Sequence, residues 1–122
     1  MGYRQAYADW QADPEAFWLR EAERIDWVKW PSRAYFDQGP VGEWFADGQL
    51  NACWNALDRH VATGRADQPA LIHDSPITGS ERVFTYAELL DKVALLAGAL
   101  RAQGIEKGDR VIIYMPMVPE AI

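Results

Sequence analysis

The stretch from Val83 to Met117 constrains the fold more than any other part of this sequence. It contains a short apolar segment, an amphipathic helical pattern, a glycine and a second, fully apolar segment. This order is typical of a β-α-β unit. The sequence therefore predicts an α/β fold, in which everything upstream of the unit wraps around it.

The helix in the middle of this unit carries the clearest local signals. Thr85 is a candidate N-cap, and Glu88 three residues later completes the pattern of a capping box. Gly104 is placed to end the helix in a Schellman-type stop. Apolar residues recur at the spacing of one helical face, and we expect this face to pack on a core: Leu89, Leu90, Val93, Leu96, Ala97 and Leu100.

An uninterrupted apolar run, RVIIYM, extends from Arg110 to Met115. Such a run is typical of a strand covered on both faces in a parallel sheet, rather than a strand with one face in water. After it, Pro119 and Glu120 have the pattern of the first turn of another helix. We therefore expect the chain to be a piece of a larger α/β domain, since domains typically contain ~100 to 150 residues.

Aromatic residues are concentrated in the first part of the chain, where all six tryptophans lie: Trp10, Trp18, Trp27, Trp30, Trp44 and Trp54. Asp13, followed by proline and glutamate, predicts a helix that runs through Arg24. From Trp27 to Gly48, prolines and glycines interrupt any long element. This pattern predicts an aromatic-rich arm that docks on a larger body without building a sheet of its own. The alternative is an aromatic ligand cage or a base-stacking platform, which acidic neighbours and the lack of interleaved basic residues disfavour.

A second helical pattern runs from Leu50 to Thr63, with Asn51 as its candidate N-cap and Gly64 at its end. Cys53 and His60 lie on one face of this helix. Two helical turns separate them by roughly 10.5 Å, which is too far for a shared metal ion or a direct proton transfer. The favoured interpretation is a buried thiol and a hydrogen-bonded histidine.

Two apolar segments, Pro69–Asp74 and Arg82–Tyr86, are joined by turn residues and predict a β-hairpin. The only carboxylate at ligand spacing from His73 belongs to the next residue in the sequence. His73 is therefore also interpreted as a structural residue. Gly79 and the serine after it precede a strand rather than a helix, which argues against a phosphate loop. The sequence contains no GxxxxGK[ST], GxGxxG, GxSxG or HExxH motif and no paired cysteines.

Charge and composition exclude several classes of function. The net charge of −6 argues against nucleic acid or an anionic membrane as a partner. The longest apolar runs are far shorter than the ~20 residues that span a bilayer, and the first residues lack the apolar core of a signal peptide. A single cysteine, Cys53, cannot form an internal disulfide, which agrees with a reducing compartment. We therefore predict a cytoplasmic protein without nucleic-acid or membrane partners.

Five short strings occur together and in order: DPEAFW at Asp13–Trp18, RIDW at Arg24–Trp27, WF.DG.LN at Trp44–Asn51, NALDRH at Asn55–His60 and KGDRVIIYMPM.PEA at Lys107–Ala121. Together they resemble the N-terminal segment of the acetyl-CoA and propionyl-CoA synthetases. These are short-chain members of the adenylate-forming acyl-CoA ligase superfamily, and the resemblance covers essentially the whole chain. The short lead before DPEAFW and the RIDW string are more similar to propionyl-CoA synthetase than to acetyl-CoA synthetase.

This resemblance implies a two-step reaction for the full-length enzyme. A small carboxylate, propionate or acetate, attacks the α-phosphate of Mg-ATP to give an acyl-adenylate and pyrophosphate, and the thiol of CoA then displaces AMP. ATP, Mg²⁺ and CoA would thus be used by the full-length enzyme, and none is expected to bind to this segment.

The family's phosphate loop, its aromatic-acid motif, its acyl pocket and its mobile C-terminal domain lie downstream, and none has a counterpart here. We therefore nominate no catalytic, cofactor-binding or metal-binding residue, and Lys107, Arg110 and His60 are not candidates for these roles.

Within this resemblance, residues 1–64 are predicted to be an aromatic-rich helical wrapping segment. Residues 65–122 would be the start of the ligase large domain, with hairpin, helix and strand, truncated at its C-terminus. The segment's role would be structural, its partner the remainder of its own large domain, and alone it would be inactive. The alternative is a non-catalytic interaction module that docks through its aromatic arm. A self-sufficient nucleotide-binding domain is disfavoured by the missing phosphate loop.

Overall fold

The computed structural model describes residues 2–122. The chain divides into two compact units, Met1–Asn55 and Ala56–Ile122. Each unit is built from short elements, and α3, at 17 residues, is the longest helix of the chain. Among the described residues, no helix has both the length and the apolar character needed to cross a bilayer.

The first unit contains two helices and two small antiparallel sheets. In chain order its elements are α1 (Tyr3–Ala12), α2 (Pro14–Ala22), β1 (Trp27–Lys29), β2 (Tyr35–Phe36), β3 (Glu43–Trp44) and β4 (Gln49–Leu50). Strand β1 pairs with β4 and β2 pairs with β3. The buried side chains of this unit are few and small: Ala22, Pro31 and Ala34.

The predicted start of α2 is confirmed. The Asp13 carboxylate accepts a hydrogen bond from the Ala16 N–H at 3.0 Å, and proline occupies the first helical turn, as the sequence predicted. The helix ends at Ala22, two residues before the predicted end at Arg24. Helix α1 was not predicted, because its N-cap Gly2 provides no side-chain hydrogen bond and its end turns carry no charges that favour a helix.

The prediction that the arm builds no sheet of its own is wrong. Gly39 and Gly42, between β2 and β3, both have a positive φ, which glycine adopts without steric cost and which lets the chain reverse. The two strands then place Tyr35 opposite Trp44, with ring centroids 5.2 Å apart. Such cross-strand aromatic pairs stabilise very short strands, and the same glycines that rule out a long element therefore permit a hairpin.

The next helical segment covers residues 52–65. Its predicted N-cap is confirmed, because the Asn51 side chain accepts a hydrogen bond from the Trp54 N–H at 3.1 Å. The helix is π-helical at Trp54–Asp58 and Val61–Arg65, which the sequence did not predict. Gly64, with φ of +85°, interrupts the helical backbone where the sequence placed the end of the helix.

The second unit contains the predicted hairpin and the predicted central helix. Strands β5 (Pro69–Ser75) and β6 (Ser80–Thr85) are antiparallel, with Leu71 opposite Phe84 and His73 opposite Arg82. Helix α3 (Tyr86–Ala102) follows β6 directly. A short 3₁₀-helix, Pro119–Ala121, stands where the first turn of another helix was expected.

Both predicted ends of α3 are confirmed. The Thr85 hydroxyl accepts the Glu88 N–H at 3.2 Å, and the Glu88 carboxylate accepts the Thr85 N–H at 2.9 Å, which together form a capping box. At the other end the Ile105 N–H donates to the Leu100 carbonyl at 3.1 Å and the Gly104 N–H donates to the Arg101 carbonyl at 2.9 Å. This pair of bonds is the Schellman motif.

The predicted strand at Arg110–Met115 is not present, so the β-α-β unit is not formed within this chain. No residue from Asp109 to Met115 is in a strand, and this segment is exposed along its whole length. A strand exists only where a neighbouring strand completes its ladder of hydrogen bonds, and the described residues provide none for this segment. The unit is instead a hairpin followed by a helix.

The apolar face of α3 is covered only in part. Leu89, Leu90, Val93 and Leu100 are half-buried, whereas Leu96 is 57% exposed and Ala97 is also exposed. The hairpin β5–β6 and the end of the 52–65 helix supply the cover that exists. The expected packing of this face on a core is therefore incomplete within the chain.

Candidate functional site

Most of the large apolar side chains in this chain are uncovered. Among residues 2–122, the hydrophobic core consists of three buried side chains, Ala22, Ala34 and Leu57. Along the apolar run, Ile112 is 87% exposed and Tyr114 is 99% exposed. Exposed apolar surface on this scale marks a surface that contacts other protein. These exposed apolar side chains are therefore candidates for contact with other polypeptide.

Cys53 and His60 both lie in the helical segment over residues 52–65. Cys53 is half-buried, so the prediction of a buried thiol is wrong. The His60 ring lies against Tyr86 with centroids 4.8 Å apart, and Nη1 of Arg65 lies 3.4 Å from its Nδ1. The histidine thus has the polar neighbour that the sequence predicted, and its contacts attach the start of α3 to the preceding helix.

His73 lies on the hairpin face that also carries Arg82. Its Nδ1 is buried and has no hydrogen-bond partner among the described residues. Arg82 pairs with the Glu120 carboxylate, with Nη2 and Oε1 3.3 Å apart, and Pro119 beside it is buried. These contacts attach the 3₁₀-helix to the hairpin. A hydrogen bond from its own backbone N–H, and then the Arg82 guanidinium, lower the pKa of the Glu120 carboxyl below its ordinary value.

Residues 2–122 contain no group of three or more His, Cys, Asp or Glu side chains that could hold a metal ion. The sequence analysis nominated no catalytic, cofactor-binding or metal-binding residue, and this stays a prediction. Lys107 and Arg110 were not candidates in the sequence analysis either. Lys107 lies in the turn after α3, and Arg110 lies in the exposed segment beyond it.

Two of the five strings noted in the sequence contact each other in the first unit. The Asp26 N–H, in RIDW, donates to the Asn55 side chain at 2.8 Å, and the Asn55 amide donates back to the Asp26 carbonyl at 2.9 Å. The Trp54 indole N–H also donates to the Asp26 carboxylate at 2.8 Å. These residues therefore hold the backbone of the first unit, which agrees with a structural role for the strings.

A carboxylate also organises the loop before β2. Asp47 accepts hydrogen bonds from the Ser32 N–H, at 3.0 Å and 3.2 Å to its two oxygens. Hydrogen bonding from the Ser32 side chain and backbone, together with the charge of Lys29, lowers the pKa of the Asp47 carboxyl below its ordinary 3.8. Since the carboxyl titrates lower in the folded chain, its ionised form favours the folded loop.

We expect this contact to be lost in acid. The contribution of Asp47 is fully present above pH 3.8, its ordinary pKa, and disappears as the pH falls through its lowered folded value. The Ser32 amide proton should therefore shift in an NMR titration below pH 3.8. Asp47→Asn removes the titration and should abolish that step. A Ser32 shift that is unchanged in the variant would contradict the assignment.

Seven aromatic side chains of the first unit form a continuous cluster of rings, in which Phe17 contacts Trp18 at 5.2 Å between centroids. The Trp44 ring contacts Trp18 at 5.4 Å and Tyr35 at 5.2 Å between centroids, and further contacts extend it through Phe45, Trp27 and Trp30. One side of this cluster forms a cavity of about 220 Å³, whose lining residues are Trp10, Pro14, Glu15, Trp18, Tyr35 and Trp44. The Glu15 carboxylate is fixed there, because its Oε1 accepts the Ala34 N–H at 2.7 Å.

Neither this cavity nor the Arg82–Glu120 pair was predicted from the sequence. Glu15 appeared only as an acidic residue in the first turn of a helix, and its partner Ala34 lies 19 residues away. Arg82 and Glu120 are 38 residues apart. Neither pair follows a helical or strand periodicity, so neither could be predicted from residue spacing. The only sequence signal for the cavity was the unusual density of aromatic residues.

Comparison with family models assigns both halves of the chain. Residues 3–56 match the model described as acetyl-coenzyme A synthetase N-terminus. Residues 57–122 match the model described as AMP-binding enzyme. The boundary between the two matches is within two residues of the boundary between the two structural units.

Curated proteins match along nearly the whole chain. The human protein named acyl-CoA synthetase short-chain family member 3, mitochondrial, is 46% identical over 121 residues, which are 98% of this chain and 18% of that protein. An uncharacterized protein of Pseudomonas aeruginosa is 51% identical over 123 residues, 99% of this chain and 19% of that protein. An acetyl-coenzyme A synthetase of Bradyrhizobium is 42% identical over 123 residues, 98% of this chain and 19% of that protein. The chain thus spans about a fifth of the length of these relatives.

Proposed function

We propose, from the premise that this chain belongs to the AMP-binding enzyme family, that it is the N-terminal part of a short-chain acyl-CoA synthetase. The observation that carries the proposal is the order of the two matches, an acetyl-coenzyme A synthetase N-terminus followed directly by the start of an AMP-binding enzyme. The complete protein would convert a small carboxylate, ATP and CoA to acyl-CoA, AMP and pyrophosphate. The interaction-module alternative has no support among the comparisons.

The finer proposal is that the carboxylate is propionate rather than acetate. It rests on the RIDW string at Arg24–Trp27. Relatives named acetyl-coenzyme A synthetase are 42–43% identical to this chain, and the short-chain family member 3 proteins are 45–46% identical. A comparison of the two carboxylates in an assay of the complete enzyme tests this preference directly.

Within the enzyme, this segment would act as a scaffold. The division proposed for the complete protein is a wrapping segment, 1–64, and the start of the large domain, 65–122. The exposed faces support this role, since Leu96 on α3 and the run Arg110–Met115 remain without cover in the chain. The remainder of the large domain would cover them, and the apolar area then removed from water would stabilise the enzyme by roughly 25 cal/mol per Å².

The residues described here do not fit a site for ATP, Mg²⁺ or CoA. The chain has no glycine-rich phosphate loop, and its positive-φ glycines mostly lie in or beside turns and at helix ends: Gly39, Gly42, Gly64, Gly79, Gly104 and Gly108. In addition, residues 2–122 hold no group of three or more His, Cys, Asp or Glu side chains that could bind a metal ion. We therefore derive no catalytic step through these groups, whose ligands would come from other parts of the enzyme. The cytoplasmic location stays a prediction, and several mammalian relatives are named as mitochondrial proteins.

The experiment that tests the proposal is ATP–pyrophosphate exchange with propionate or acetate. We expect no exchange from the 122-residue chain, because it lacks the residues that would hold the phosphates. The native protein that contains this sequence should catalyse the exchange. Robust exchange by the chain alone would show that a site exists here, and absence of exchange from the longer protein with a range of short carboxylates would overturn the proposed function.

A further inference from the structure

The cavity lined by Trp10, Trp18, Tyr35 and Trp44 combines four aromatic rings with a carboxylate, because Glu15 also forms part of its wall. Its aromatic rings come from four elements, α1, α2, β2 and β3. Glu15 is half-buried, and the Ala34 N–H holds one of its oxygens at 2.7 Å. The carboxylate is therefore placed by the fold rather than free to leave the cavity.

This chemistry favours a cation as the occupant. Indole and phenol rings attract a cation through the negative charge of their faces, and the attraction grows when water is removed. A neighbouring carboxylate adds a direct charge interaction. The same carboxylate, together with the net charge of −6, disfavours a nucleotide base carried on a phosphate backbone. The acidic surroundings that argued against a base-stacking platform thus argue for a positively charged ligand.

The size of the cavity agrees with a cationic side-chain head. A volume of about 220 Å³ is below the several hundred Å³ typical of pockets for drug-sized ligands. It is large enough for an ammonium or guanidinium group together with the end of its aliphatic stem. Arginine and lysine both bury their stems on apolar surface in this way, and guanidinium in particular stacks on aromatic faces.

We propose that this cavity receives the cationic head of a lysine or arginine side chain from the part of the enzyme that lies outside these 122 residues. The inference rests on the proposed function, in which about four-fifths of the protein lies outside this chain, as the 18–19% coverage of the relatives indicates. It adds to that function a specific anchor: one cation in the cavity lined by Trp18 and Trp44, with Glu15 as its counter-ion, fixes the first unit on the body of the enzyme.

The test uses guanidinium as the probe of the cavity, at concentrations of about 0.1 M or below, which do not denature most proteins. The indole N–H resonances of the chain are followed by NMR at constant ionic strength. Those of Trp10, Trp18 and Trp44 should shift, and those of Trp30 and Trp54, which do not line the cavity, should not. Urea is the matched neutral control, because it has nearly the same planar shape without the charge, and it should cause much smaller shifts.

Two variants test separately how the carboxylate and the aromatic rings of the cavity contribute to cation binding. Glu15→Gln keeps an oxygen that can accept the Ala34 N–H but removes the charge, and it should weaken guanidinium binding about three- to fivefold, as expected for a partly exposed ion pair. Trp44→Phe keeps an aromatic ring of lower affinity for cations and should also weaken it. Equal shifts with urea, equal shifts of all indoles, or unchanged binding in both variants would each overturn the proposal.

The complete enzyme distinguishes the source of the cation. If a side chain of the enzyme fills the cavity, these three indoles should not respond to guanidinium in the longer protein, although they respond in the 122-residue chain. A response in both would show that the cavity binds a free cation and would overturn the internal anchor. Failure of the proposed function is observed separately, as a loss of ATP–pyrophosphate exchange, and does not depend on these resonances.

Discussion

Leu96→Ala should destabilise the complete enzyme by about 2 to 5 kcal/mol, and the 122-residue chain by less than about 0.5 kcal/mol. In this chain the Leu96 side chain is 57% exposed, so truncation removes few contacts. In the enzyme, the apolar face of α3 is proposed to lie under the remaining polypeptide, where the same truncation leaves a cavity. The difference between the two values measures how much of this face the rest of the enzyme covers.

Thermal or urea unfolding followed by far-UV circular dichroism gives both values, since α3 is the longest helix of the chain. Leu57→Ala is the matched control. Leu57 is only 8% exposed within the chain itself, so its loss should cost about 2 to 5 kcal/mol in both proteins. If Leu96→Ala leaves the stability of the complete enzyme unchanged while Leu57→Ala lowers it, the proposed packing of α3 is wrong.

Gly42→Ala should destabilise the first unit by about 2 to 4 kcal/mol, by two separate mechanisms. Gly42 has φ of +64°, in the left-handed region that a side chain makes costly. A Cβ at this position would also overlap the ring of Tyr35. That ring cannot move freely, because its hydroxyl donates to the Val41 carbonyl at 3.2 Å and its face contacts Trp44.

Gly39→Ala separates the two mechanisms. Gly39 has φ of +73°, but a Cβ there would meet no atom within 4 Å, so only the backbone cost of about 1 kcal/mol is expected. Urea unfolding followed by tryptophan fluorescence reports on this unit specifically, because all six tryptophans lie in the first 54 residues. Equal destabilisation by the two variants would mean that Tyr35 relaxes away from residue 42 at little cost, against the packing described here.

The two units expose different kinds of apolar surface, and each kind is suited to a different contact with the rest of the enzyme. The first unit exposes aromatic rings around a fixed carboxylate, a surface suited to a polar anchor. The second exposes an aliphatic helix face and the run Arg110–Met115, whose side chains from Val111 to Met115 are all at least 53% exposed. The latter surface is suited to a strand and apolar side chains, since its backbone N–H and C=O groups also need partners. The scaffold function proposed here would need both kinds of contact.

Features that depend on a few neighbouring residues could be predicted from the sequence alone. The capping box at Thr85, the caps at Asp13 and Asn51 and the Schellman stop at Gly104 all join groups three to five residues apart. The same holds for the β5–β6 hairpin, whose strands are joined by a short turn. The five ordered strings likewise identified the family, because they are a property of the chain and not of its packing.

Features that depend on distant partners became visible only in the folded chain. The Glu15–Ala34 hydrogen bond joins residues 19 apart beside an aromatic cavity, and the Arg82–Glu120 pair joins residues 38 apart. The run Arg110–Met115 has the composition of a buried strand and yet is not one here, because a strand needs a neighbour to complete its hydrogen bonds. Local sequence sets the conformational preference of a segment, but burial and strand pairing are properties of what lies beside it in space.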